Sequence, residues 1–91
     1  MKTDKFRNLR YRLMETEEKW PVKYMFKFIS PNEDGKVDAV KALLPDHGAL
    51  SFRHTSSLKY VSITCVAMMK SADEIVEITE KVDQIDGIIV L

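Results

Sequence analysis

Residues 60–91 run YVSITCVAMM (60–69), KSADEIVEITEKVDQI (70–85) and DGIIVL (86–91), and their reading decides the fold. In the first piece Val61, Ile63, Cys65 and Ala67 alternate with Tyr60, Ser62, Thr64, Val66 and Met68, and β-branched residues dominate, which predicts a long strand. Ser71 and Glu74 then form an S-x-x-E capping box. Behind it Ile75, Ile78, Val82 and Ile85 recur at helical spacing, so residues 72–84 are expected to be an amphipathic helix. After the glycine turn at Gly87 the run IIVL reads as a closing strand.

Working back toward the N-terminus, the same logic finds a first copy of this arrangement. From Val22 to Ile29, Val22, Tyr24, Phe26 and Phe28 point one way and Lys23, Met25, Lys27 and Ile29 the other, a strand with one apolar face. The turn-rich run SPNEDGK follows. Asp34 is the expected N-cap of a helix with Val37, Val40, Leu43 and Leu44 as its stripe, and Pro45 stops it. Past the DHG turn, Leu50, Phe52 and His54 alternate with Ala49, Ser51 and Arg53 as a second strand, and TSSLK reverses the chain into Tyr60. Upstream, Phe6, Leu9 and Leu13 mark a modest amphipathic helix over residues 4–18, with Asp4 as its cap, broken by Trp20 and Pro21.

The order is therefore one helix followed by β, α, β, β, α, β. Short right-handed connections select an α+β ferredoxin-like βαββαβ sandwich: a four-stranded antiparallel sheet, first and third strands central, both helices on one face. Residues 1–19 form an N-terminal helical extension and residues 20–91 the domain. The other sheet face is expected to present Lys23, Met25, Lys27, Ser51, Arg53, Tyr60, Ser62 and Thr64. It also carries Met25, Ile29, Val66 and Met68, apolar groups that either the N-terminal helix, through Phe6, Leu9 and Leu13, or another subunit or protein is expected to cover.

Ninety-one residues suffice for one core, and 45% hydrophobic with 31% charged residues is an ordinary globular composition. Lys plus Arg and Asp plus Glu balance at 14 each, so net charge offers no attraction to nucleic acid or anionic lipid. The charges are uneven, however: residues 1–12 hold five Lys or Arg against one Asp, and residues 71–86 six acids against one Lys. The single Cys65 makes an internal disulfide impossible and fits a reducing compartment. With no apolar run of signal-peptide or membrane-spanning length, the expectation is a cytoplasmic protein without a membrane role.

Three segments, WPVKYMFKFIS, SFRHTSSLKYVSIT and the terminal DGIIVL, resemble the YbeD-like family of small bacterial proteins of uncharacterised function with an ACT-like ferredoxin fold. Trp20, Pro21, Phe26, Lys27, Ser56, Ser57, Lys59, Tyr60, Ser62 and Leu91 carry the resemblance, which runs from Trp20 to Leu91. The family hairpin often has glycine where Leu58 stands, so a turn of a different type is expected here. The resemblance implies the fold and a bacterial source. By analogy alone, ACT-like domains bind small effectors or pair into regulatory dimers.

Catalytic and metal chemistries find little support. A calcium loop built around NEDGK would start at Ser30 and place Lys41 where it needs its bidentate Glu, and paired thiols or an arginine-bearing phosphate loop after the first strand are missing. His47 and His54 make no triad by spacing, and Cys65 reads as a buried small hydrophobe. No enzyme activity, cofactor or metal is expected. The candidate ligand-binding residues are Lys27, Arg53, Ser56, Ser57, Lys59 and Tyr60, the last four concentrating hydroxyls, an ammonium and a phenol at the central hairpin. The resulting expectation is a non-enzymatic regulatory or adaptor module for a protein partner or a small anionic effector. An ACT-type ligand-responsive homodimer ranks second. Weak RNA binding through the open face ranks third, since only one stacking aromatic, Tyr60, is available there.

Overall fold

The computed structural model describes residues 6–16 and 19–91. Its elements are α1 (Arg7–Thr16), β1 (Val22–Pro31), α2 (Lys36–Leu43), β2 (Ala49–His54), β3 (Tyr60–Met69), α3 (Ala72–Asp83) and β4 (Ile89–Val90). Asp4, expected as the first helix cap, lies outside the described residues. The four strands form one antiparallel sheet ordered β2-β3-β1-β4. The first and third strands are central, the ferredoxin-like arrangement with an extra N-terminal helix.

The β1–β3 ladder is the spine, in register from Val22 opposite Met69 to Pro31 opposite Tyr60. Because side chains alternate, this register puts Phe26 and Phe28 on one face with Ile63, Cys65 and Ala67. All five are buried there against Val40 and Leu44 of the α2 segment and Ile75, Val76 and Val82 of α3. Tyr24, Phe26 and Phe28 stand along β1 as an aromatic row, the first pair edge-to-face at 4.9 Å. The buried ridge of α3 is Ala72, Ile75, Val76, Thr79 and Val82, with Ile78 and Ile85 half-buried at its margins. Thr79 is tolerated inside because its Oγ1 donates to the Ile75 carbonyl at 2.8 Å.

Local signals explain most element ends. Ser71 Oγ accepts from the Glu74 amide at 3.2 Å, as its position in the capping box predicts. Asp34, by contrast, does not cap α2. The cap is Gly35 at φ 82°, with no side-chain hydrogen bond, and the Lys36 amide donates to the Glu33 carbonyl at 3.2 Å. Glycine reaches this left-handed conformation without a Cβ clash, so the chain turns into the helix instead of arriving extended, the backbone shape a capping Asp requires.

The hairpin holds a second departure. Leu58 does not impose a different turn; it adopts φ 59°, the conformation a glycine would take there. Neighbouring hydrogen bonds hold it. The Leu58 amide donates to the Thr55 carbonyl at 2.9 Å, and the Leu58 carbonyl accepts from Asn32 Nδ2 at 2.8 Å.

The position of α1 resolves the question of what it covers. It packs on α3, with Leu13 buried and Arg10 Nε 3.0 Å from Asp73 Oδ1, so it joins the helical layer and leaves the opposite sheet face alone. Of the two coverings that the sequence leaves open for the other face, the one by Phe6, Leu9 and Leu13 is thereby excluded: these residues serve the main core. No described helix is long and apolar enough to cross a membrane.

Candidate binding face

With α1, α2 and α3 all on one side, the other side of the sheet is open among the described residues. The register places its side chains in rows across three strands. Lys27 lies opposite Thr64, and Thr64 opposite Ser51; in the next row Ile29 lies opposite Ser62, and Ser62 opposite Arg53. Adjacent strands are about 4.8 Å apart and same-face neighbours along a strand about 7 Å apart, so five polar side chains share a patch roughly 10 Å across. They line a concavity of about 290 Å³, formed by Lys27, Ser51, Arg53, Ser62 and Thr64 with Phe52. None of these five side chains makes a hydrogen bond or ion pair with another described residue.

Around this basin the face is apolar. Met25 and Met68 are 57% and 50% exposed with half-buried Val66 beside them, and half-buried Ile29 lies on the other side of the Lys27–Thr64 row. No strand contains an Asp or Glu, so among the described residues of the sheet Lys23, Lys27 and Arg53 give the face a positive sign.

The residues expected to bind a ligand thus divide. Lys27 and Arg53 come together in the basin, and Tyr60, 43% exposed opposite Pro31, stands on the same face at the row beyond Ser62. Ser56, Ser57 and Lys59 instead occupy the hairpin tip. There Ser57 Oγ sits 3.3 Å from Thr55 Oγ1, and the Lys59 carbonyl accepts from the Asn32 amide at 2.8 Å, so part of the tip's polarity is spent on holding the turn. Sequence alternation alone places Ser51, Ser62 and Thr64 on the open face; their role as basin walls follows from the β2–β3–β1 register.

The two histidines stay apart from this basin. His47 Nε2 is 2.9 Å from the Met68 carbonyl in the turn before β2, and His54 lines a groove between β2 and the start of α2 with Phe52 and Val61. Cys65 is fully buried, and burial raises its thiol pKa, which removes thiolate character at neutral pH. A larger hollow of about 440 Å³ lies on the helical side, between α1, α3 and β1, walled by Phe6, Leu9, Tyr24, Phe26 and Ile88. Burial pushes the Tyr24 phenol up there, and the nearby Arg12 guanidinium partly offsets it. That hollow combines the charges of Arg12 and Asp83, whereas the basin carries donors of a single sign.

Searches of curated proteins and of solved structures found no match. A family model described as a protein of unknown function, DUF493, matches residues 15–91, which span the end of α1 and every strand of the sheet. The chain therefore belongs to the DUF493 family of proteins of unknown function.

Proposed function

We propose that this protein is a non-enzymatic binding module, a regulatory or adaptor domain whose working surface is the open face of its sheet. The observation that carries the reading is the one-sidedness of the molecule. Every described helix packs on the same side, yet the side left open among the described residues keeps Met25 and Met68 half exposed on the face that carries Lys23, Lys27 and Arg53. A solvated face gains nothing from exposed methionines, whereas flexible, polarizable side chains suit a surface that closes on a partner. The resemblance of the hairpin and β1 to the YbeD-like, ACT-like proteins supports the same reading. The positive sign favours a partner or effector bearing negative charge. A bacterial, cytoplasmic setting is consistent with the resemblance and the lone cysteine.

The test is affinity capture from the cells that make the protein, comparing wild type, Met25→Asp/Met68→Asp and the helix-face control Glu77→Ala, with circular dichroism to show that all three are folded. The reading expects wild type and control to retain a shared set of proteins or metabolites that the double variant loses. An identical set from all three would overturn it.

A further inference from the structure

We infer that the basin on the open face is a phosphoryl-group site, and that its ligand is a small phosphate ester whose organic part is apolar or aromatic. This rests on the open face being the working surface and names the chemistry of one part of it.

Three features of the basin lead there. First, every polar side chain lining it can donate. Lys27 offers an ammonium, Arg53 a guanidinium fork, and Ser51, Ser62 and Thr64 a hydroxyl each. A carboxylate has two oxygens to satisfy, whereas a phosphoryl group has three terminal oxygens and up to two negative charges, which better matches two cations and three hydroxyls.

Second, these donors are uncommitted. None is engaged with another described residue, and no acidic side chain on the sheet competes for the cations. On an exposed surface lysine and arginine commonly lie near carboxylates, as Lys81 does with Glu77 at 3.1 Å and Arg10 with Asp73 at 3.0 Å elsewhere in this chain. Third, the basin has a floor and walls. The two hydroxyls of β3 lie at its centre, Lys27 on β1 and Ser51 and Arg53 on β2 flank them, and the hollow holds about 290 Å³.

The neighbours define the rest of the ligand. One row along from Lys27 and Thr64 are Met25 and Val66, then Met68 opposite Lys23, a greasy strip reaching away from Lys27 and Arg53. An ester with an apolar or aromatic group would place its phosphate on Lys27 and Arg53 and lay that group on the strip. Tyr60 flanks the basin on the opposite side, beyond Ser62. A polynucleotide would draw on Tyr60 for stacking, and a small ester would not.

The experiment is a ¹⁵N-resolved NMR titration of the full chain with phenyl phosphate, inorganic phosphate, phenylacetate and a short single-stranded RNA, repeated on Lys27→Ala, Arg53→Ala, Tyr60→Ala and the distant charge control Lys70→Ala. Phenyl phosphate is expected to shift the amides of Ser51, Arg53, Ser62 and Thr64 saturably and to bind more tightly than inorganic phosphate. Loss of either basin cation should weaken it roughly tenfold, the scale of a charge-assisted hydrogen bond, and Lys70→Ala by less than about twofold. The inference is overturned if phenyl phosphate produces no saturable shift, if phenylacetate binds equally well, or if Lys70→Ala weakens binding as much as Lys27→Ala. Tighter binding of RNA that depends on Tyr60 would overturn it in favour of a polynucleotide. Each of these failures leaves the open-face reading to its own test, the capture lost in Met25→Asp/Met68→Asp.

Discussion

Replacing Gly48 with alanine tests how closely the turn before β2 is seated on the sheet. A Cβ at Gly48 would stand 2.5 Å from Cys65 Sγ, 3.2 Å from Ala67 Cβ and 3.2 Å from the Pro45 carbonyl oxygen. Cys65 is fully buried and Ala67 nearly so, and one of the three atoms is backbone, so none can swing aside freely. Forcing extra volume into a packed site costs about 1–3 kcal/mol, and three simultaneous close contacts put Gly48→Ala in the upper half of that range. For a domain of this size the melting temperature should fall by roughly 10–20 °C. Cys65→Ala alone should cost about 1 kcal/mol for the lost sulfur contacts, but it also empties the space the new methyl needs. In urea denaturation followed by circular dichroism, Gly48→Ala/Cys65→Ala should therefore be more stable than the sum of the single effects by at least about 1 kcal/mol. Additive costs, or a Gly48→Ala protein as stable as wild type, would refute the claim that this turn lies against the buried face of β3.

Other consequences are simpler to check. Leu58→Gly should raise stability by about 0.5–1 kcal/mol, because relief of the left-handed backbone exceeds the small packing loss of a side chain 62% exposed; a thermal melt decides it. Ser71→Ala should cost about 1 kcal/mol by leaving the Glu74 amide uncapped, again read from urea midpoints. Stability should also decline in alkali. Burial raises Cys65 above its ordinary 9.0 and Tyr24 above 10.0, so the folded state keeps protons that the unfolded state releases. Their stabilising contribution is complete below about pH 9 and is lost as pH climbs through the folded values. Urea midpoints measured across this range should fall, and Cys65→Ala should remove the earlier part of the decline.

What the sequence disclosed, and what it hid, follows from the range of each interaction. The alternation in Tyr60–Met69 and Val22–Ile29 is a property of single strands, so the buried face could be read directly, as could the Ser71 cap that acts three residues away. Asp34 and Leu58 misled because backbone shape decided both sites. Gly35 supplies the turn expected of Asp34, and the hydrogen bonds that Leu58 donates to the Thr55 carbonyl and accepts from Asn32 hold it where residue preference alone would not. The side on which α1 packs was hidden for another reason. Phe6, Leu9 and Leu13 suit any apolar surface, and the contact with Asp73 that accompanies the choice joins residues far apart in the chain. Lys27 and Arg53 were recognisable as open-face residues by parity. Their union with Ser51, Ser62 and Thr64 in one basin requires the register of three strands, whereas Ser56, Ser57 and Lys59 stand out in the sequence only as polar groups concentrated at one hairpin.

The methionines offer the most direct measurement of the central claim that one face of the sheet is bare and available. With methyl-labelled methionine and a soluble paramagnetic agent, the Met25 and Met68 methyls should broaden strongly in the free protein, while Met69, fully buried on the opposite face of β3, should stay sharp. If Met25 and Met68 are instead shielded as well as Met69, something already covers this face, and both the open surface and the function built on it are contradicted.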